Sequence, residues 1–255
     1  HAETNQEALD LHIQAFRLAE TLSLPVMVCM DGFILTHAVE RVDMPTQVEV
    51  DGYLLPFEPR QVLDPREPVS IGAMVGPEAF MEVRYLAHRK QLSALELIPQ
   101  LAEEFELRFG RSSGGLLRTY RAEDAETIVV ALGSVNGTIQ EVVDAMRDDG
   151  VRVGSVAITA FRPFPLDALR AAIGHAKRVV VLEKSLALGL GGILSDGVRK
   201  ALSGIQLKGY TVIAGLGGRS ITRASLRKLF ESAVREELET VTFLDLNTSV
   251  VEREL

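Results

Sequence analysis

Thr127-Ile128-Val129-Val130-Ala131-Leu132-Gly133-Ser134-Val135-Asn136-Gly137-Thr138 decides the fold. Six residues, apolar after Thr127, have the length of a buried strand. A glycine turn then leads into residues 136–147, whose pattern predicts a helix. The same punctuation recurs downstream. Strands are expected at 151–159, 178–182 and 210–214, and helices at 166–173, 193–202 and 221–234. Strict alternation of strand and helix implies an α/β domain with a mostly parallel sheet and helices on both faces. Residues 116–120 add an edge strand. Residues 241–255 hold one more apolar run and a charged end, suited to packing back or clasping a neighbour.

Upstream, Gly110-Arg111-Ser112-Ser113-Gly114-Gly115 reads as a linker and domain boundary. Residues 77–108 before it form a long helical stretch, with Pro77 in the first turn and Pro99 expected to kink or split it. Between 42 and 77, Pro45, Pro56, Pro59, Pro65, Pro68 and Pro77 break helices. Tyr53, Leu54, Leu55 and Phe57 make the segment too apolar for a disordered linker, so it reads as an arm lying across another surface. Residues 3–21 are amphipathic, with Leu9, Ile13 and Phe16 on one face, Ala8 and Ala19 beside them, and Thr4 or Asn5 as cap.

Residues 24–30, Leu-Pro-Val-Met-Val-Cys-Met, predict a second buried strand, ended by Asp31-Gly32. Ligands of open α/β sheets gather beyond the carboxyl ends of strands, which makes Asp31, Thr36 and His37 candidate chemical groups. Asp31 and Glu40 can orient or charge His37.

A formal charge of −8 argues against nucleic acid as a partner and against a polybasic membrane patch. The one cysteine, Cys29, allows neither an internal disulfide nor a four-cysteine iron–sulfur site. No apolar run reaches the length of a membrane span and no signal peptide is visible, so the cytoplasm is the default. The histidines lack metal-ligand spacing. The chain opens on His1 instead of Met, which leads us to expect that its beginning lies elsewhere.

Glycine turns precede three expected helices: Gly133-Ser134-Val135-Asn136-Gly137, Gly189-Leu190-Gly191-Gly192 and Gly215-Leu216-Gly217-Gly218-Arg219. Each has two readings. Backbone N–H groups can face an anion; or the turn is tight and capped from within, at the first by Ser134 or Asn136. Arg219 suits either an anion or an interface ion pair. No P-loop lysine and no dinucleotide fingerprint completes any of them.

Pro25-Val26-Met27-Val28-Cys29-Met30-Asp31-Gly32-Phe33, with His37 following and Asn5-Gln6-Glu7-Ala8 preceding, resembles the α subunit of the pyruvate:ferredoxin oxidoreductase family. The likeness continues in order through the three glycine turns and Phe161-Arg162-Pro163-Phe164-Pro165. It implies the end of a thiamine-diphosphate, pyrimidine-type domain over 1–42. Arm, long helix and linker follow over 43–115, and a transketolase C-terminal-like three-layer domain over 116–255. It also implies oxidative decarboxylation of pyruvate with coenzyme A, reversibly, with ferredoxin as acceptor. Thiamine diphosphate and Mg2+ would be held mostly outside this sequence, 4Fe-4S clusters would sit in partner subunits, and coenzyme A would be a substrate. Partners would be β-, γ- and δ-type subunits, the chain being inactive alone. Asp31, Thr36 and His37 would support the groups nearest the cofactor, with Gly32 and Phe33 as cofactor neighbours and no metal ligand. Oxalate or another 2-oxoacid as substrate, and a non-catalytic assembly module, stay open.

Overall fold

The computed structural model describes residues 1–72 and 74–253. Among these residues, six strands form one sheet: β1 (Leu117–Tyr120), β2 (Thr127–Ala131), β3 (Val153–Ile158), β4 (Arg178–Glu183), β5 (Lys208–Ile213) and β6 (Val241–Phe243), in the order β1-β3-β2-β4-β5-β6. β1 runs antiparallel to β3 and all other pairs are parallel. The period-two direction of strand side chains sorts the core into two layers. Val129, Ala131, Val180, Leu182 and Val212 pack under α4 (Val135–Asp148) and α7 (Arg223–Val234). Ile128, Val130, Val156, Val179 and Val181 pack under α5 (Leu166–Ile173) and α6 (Leu194–Ala201). The expected alternation and edge strand are therefore present. The closing run becomes β6 and a short helix, α8 (Thr248–Val251), and its last two residues lie outside the described residues.

β2 and β4 are parallel neighbours, yet the chain leaves β2 into α4 on one face and β4 into α6 on the other. That divergence opens a crevice at their carboxyl ends, the switch point of the sheet.

α1 (Asn5–Leu22) starts where expected, Thr4 accepting the Glu7 N–H. Its buried face differs from the one expected. Ala8 and Ile13 are buried, but so are Glu7, Asp10 and Gln14, while Phe16 is 61% exposed. The reason is the surface it meets. Arg111 grips Asp10 through two nitrogens at 2.9 and 2.6 Å, and Arg118 pairs with Glu7 at 2.8 Å and Glu3 at 3.3 Å. Gln14 donates to the Ser113 carbonyl at 3.1 Å. Buried charge is tolerated where it is paired, so α1 lies clamped across the Ser/Gly segment 110–115.

The expected strand at 24–30 does not form. Among the described residues, residues 25–30 make one backbone–backbone hydrogen bond, from Ala2 N–H to the Cys29 carbonyl at 2.9 Å. An apolar run becomes a strand only against a ladder partner, and none of the described residues supplies one.

The prolines of the arm do not exclude every helix. α2 (Gln47–Tyr53) forms between Pro45 and Pro56, started by a reciprocal Thr46/Glu49 capping box. Tyr53 fixes it to α3 (Phe80–Phe109) by donating to the Leu101 carbonyl at 3.0 Å and meeting Phe105 edge-on. α3 passes through Pro99 as one 30-residue helix. Burial of Ala94, Leu101 and Phe105 on either side outweighs the lost backbone bond. The helix begins three residues beyond Pro77, so Pro77 precedes it. Among the described residues no helix is long and apolar enough to cross a membrane.

Candidate functional site

Glu183, the last residue of β4, is 3% exposed. Its carboxylate accepts the N–H groups of Ile193, Leu194 and Ser195 at 2.6, 2.7 and 3.2 Å, together with the hydroxyls of Ser185 and Ser195. Ser195 is held in turn by Thr211 at 2.9 Å. A Cβ on Gly192 would strike this carboxylate. The first turn of α6 is thus neutralised from inside the fold.

The end of β2 carries the matching arrangement, with the acid supplied from far away. Neither Ser134 nor Asn136 caps α4: Ser134 makes no side-chain cap bond and Asn136 donates to the Gly133 carbonyl at 2.9 Å. The Asp31 carboxylate takes the Ser134 N–H at 2.6 Å through Oδ2 and the Lys184 ammonium at 3.3 Å through Oδ1. Gly133 makes the approach possible. Its φ is 71°, and a Cβ there would lie 2.7 Å from Asp31 Oδ2. Partial burial alone would raise the Asp31 pKa, but the hydrogen bonds from Ser134 and the charge of Lys184 outweigh it and hold the carboxyl below its ordinary value. Asp31 therefore lies beyond the ends of β2 and β4, not beyond a strand at 24–30. A cavity of about 210 Å³ beside it is lined by Cys29, Leu132, Gly133, Glu183, Lys184 and Ser185, among others.

Beyond Asp31 the chain makes a compact turn. Leu35 N–H donates to the Asp31 carbonyl at 3.4 Å and His37 N–H to the Phe33 carbonyl at 3.2 Å. Leu35 is buried and anchors the turn. Phe33 takes a left-handed φ of 65°, its N–H bonded to Thr36 Oγ1 at 3.0 Å. Its ring is stacked on His37 at 4.7 Å and is 70% exposed. Thr36 Oγ1 also meets His37 Nδ1 at 2.9 Å. Thr36, and neither Asp31 nor Glu40, thus orients His37; Glu40 accepts from Asn5 instead. Gly32 has open space at its Cβ position.

The structure therefore brings Asp31, Phe33, Thr36 and His37 into one turn and adds Ser134, Glu183 and Lys184, which the sequence reading did not single out as site residues. Glu183-Lys184 directly after an apolar strand was the available signal. Arg219 donates to the Asp245 carbonyl. A larger apolar groove of about 780 Å³ lies between α1, the unpaired run, α3 and residues 159–163, with Leu18, Met27, His88, Ile98 and Phe161 in its walls. Among the described residues no three His, Cys, Asp or Glu side chains are grouped to hold a metal ion.

Residues 1–103 match the family model described as pyruvate flavodoxin/ferredoxin oxidoreductase, thiamine diphosphate-binding, and residues 125–226 match pyruvate:ferredoxin oxidoreductase core domain II. Pyruvate synthase subunit PorA of Methanothermobacter thermautotrophicus is 40% identical over 96% of this chain and 64% of its own length. The same-named subunit of Thermotoga maritima is 41% identical over 93% of this chain and 62% of its own length. Ketoisovalerate oxidoreductase subunit VorA of Pyrococcus horikoshii is 35% identical over 91% of this chain and 59% of its own length. The chain thus spans about three fifths of the length of these relatives.

Proposed function

The chain belongs to the pyruvate:ferredoxin oxidoreductase family, and from that membership we propose that it is part of a thiamine-diphosphate-dependent 2-oxoacid:ferredoxin oxidoreductase acting on pyruvate. In the proposed reaction, pyruvate and coenzyme A give acetyl-CoA and carbon dioxide, and the two electrons released reduce ferredoxin; the reverse runs when reduced ferredoxin is in excess. The observation that carries this reading is the ordered match of two domains of one family along a single chain.

The cofactor's contribution, when bound, is to stabilise the carbanion left by decarboxylation. The described residues do not by themselves fit a diphosphate, a magnesium ion or a 4Fe-4S cluster. No metal-ligand group occurs among the described residues, the sequence has one cysteine, and the helix ends at the switch point are already taken by Asp31 and Glu183. These groups would be held by residues outside this sequence and by β-, γ- and δ-type partner subunits. This chain's share is architectural. The run 24–30 takes a strand's place when a partner strand is supplied, and the turn 31–37 supports the groups that meet cofactor and substrate.

The test is an anaerobic assay on the complex purified natively with this chain, following viologen reduction with pyruvate and coenzyme A. Coenzyme-A-dependent reduction is expected. The likeness to a ketoisovalerate oxidoreductase subunit favours one second reading, a branched-chain 2-oxoacid as substrate. Reduction with that acid and none with pyruvate would select it. A complex lacking both thiamine diphosphate and iron would overturn both readings.

A further inference from the structure

We propose that Asp31 is a positioning residue for the reaction above: by latching onto Ser134 and Lys184 it fixes the turn that carries Phe33 and His37. The inference rests on that reading of the function.

Four observations converge on it. The latch spans 103 residues of chain and joins the turn to the ends of β2 and β4, the two central strands of the sheet, whose apolar residues are buried. Room has been left for it, since Gly133 holds a left-handed conformation where any Cβ would press on the carboxylate. The turn is wired internally through Thr36, which both accepts from Phe33 and orients His37. Finally, Phe33 keeps a left-handed backbone while its ring stays exposed. Strain of that kind persists where the surroundings hold it, and it clusters at functional sites. The phenyl ring contributes little to a core, so the arrangement serves to present Phe33 and His37 outward in one geometry. Asp31 touches neither; it acts through the turn.

The experiment uses the intact complex, with Asp31→Ala, Asp31→Asn and Lys184→Met variants of this chain. For Asp31→Ala, kcat is expected to fall about tenfold while KM for the 2-oxoacid stays within about twofold and thiamine diphosphate content is unchanged. Amide hydrogen exchange over residues 32–37 should quicken. Asp31→Asn, which still accepts the Ser134 N–H, should recover most of the rate. Lys184→Met should give a smaller loss of the same kind. Should Asp31→Ala fail to assemble, the other two variants carry the test. Wild-type kcat in variants whose turn exchanges faster would overturn the inference, since the reaction would be indifferent to the latch. So would a loss confined to KM or to cofactor content. A wild-type complex that turns over no 2-oxoacid would overturn the functional reading, and the inference with it.

Discussion

The Asp31 carboxylate lies 2.6 Å from the backbone nitrogen of Ser134, 103 residues further along the chain. It supplies the cap that α4 does not provide for itself. With the Lys184 ion pair, that bond joins the first part of the chain to the switch point of the sheet.

The close approach at Gly133 predicts a measurable coupling. Gly133→Ala should destabilise by about 1–2 kcal/mol from its left-handed backbone alone, with a further cost from the contact to Asp31. In an Asp31→Ala background the further cost should vanish. A double-mutant cycle by urea unfolding should return a coupling of at least about 0.5 kcal/mol. Strict additivity would mean that the two residues do not press on each other.

Glu183 should be more sensitive than its position on an ordinary strand end suggests. Glu183→Ala leaves the N–H groups of Ile193, Leu194 and Ser195 at the start of α6, and the Ser195 hydroxyl, without their acceptor. A loss of about 3 kcal/mol or more is expected, since each buried unsatisfied group costs about 1–3 kcal/mol. Equilibrium denaturation measures it, and a loss under about 1 kcal/mol would show that water replaces the carboxylate.

Asp10 and Arg111 make the clamp between α1 and residues 110–115. Asp10 is 1% exposed, so Arg111→Ala strands a buried carboxylate and should cost about 3 kcal/mol. Adding Asp10→Leu removes the stranded charge and should recover part of that loss. A double variant as unstable as the single one would contradict this account.

Two carboxyls predict opposite pH trends in separate windows. Asp31 is depressed below 3.8, so its contribution is complete above that value and fades as pH falls through the folded-state pKa. The groups around it are Lys184, Ser134, Glu183, Cys29 and His1. Glu3 is raised above 4.5, first by burial and then by Glu7, against the pull of Arg118. The folded state then binds the proton more tightly, so stability falls as pH rises from 4.5 through the folded-state pKa and levels off above it. Unfolding free energies across this range should show both limbs. Glu3→Gln should flatten the upper one and Asp31→Asn the lower. An upper limb unchanged by Glu3→Gln would assign it to another group.

Most of the second half of the fold was legible from periodicity, because β2, β3, β4 and β5 bury both faces and read as continuous apolar runs bounded by glycine turns. Helix α5 falls on the expected residues as well, with Leu169 and Ile173 as its buried positions. Residues 24–30 carry a similar signal and form no strand, since a strand is a property of a pair and the pattern of one run says nothing of its partner. α1 misled in another way. Its apolar stripe was read as the buried face, while the packed surface is the one bearing Glu7, Asp10 and Gln14. Ion pairs with Arg111 and Arg118 are long-range contacts that leave no local trace.

The sequence by itself determined the alternating α/β architecture, the glycine turns and the family, all of which are written in local pattern and order. Only the tertiary structure decided where Asp31 acts, what caps α4 and α6, and which face of α1 is inside. Those outcomes depend on side chains far apart along the chain meeting at fixed distances, and hydrogen bonds and ion pairs between them reward proximity that spacing in sequence does not encode.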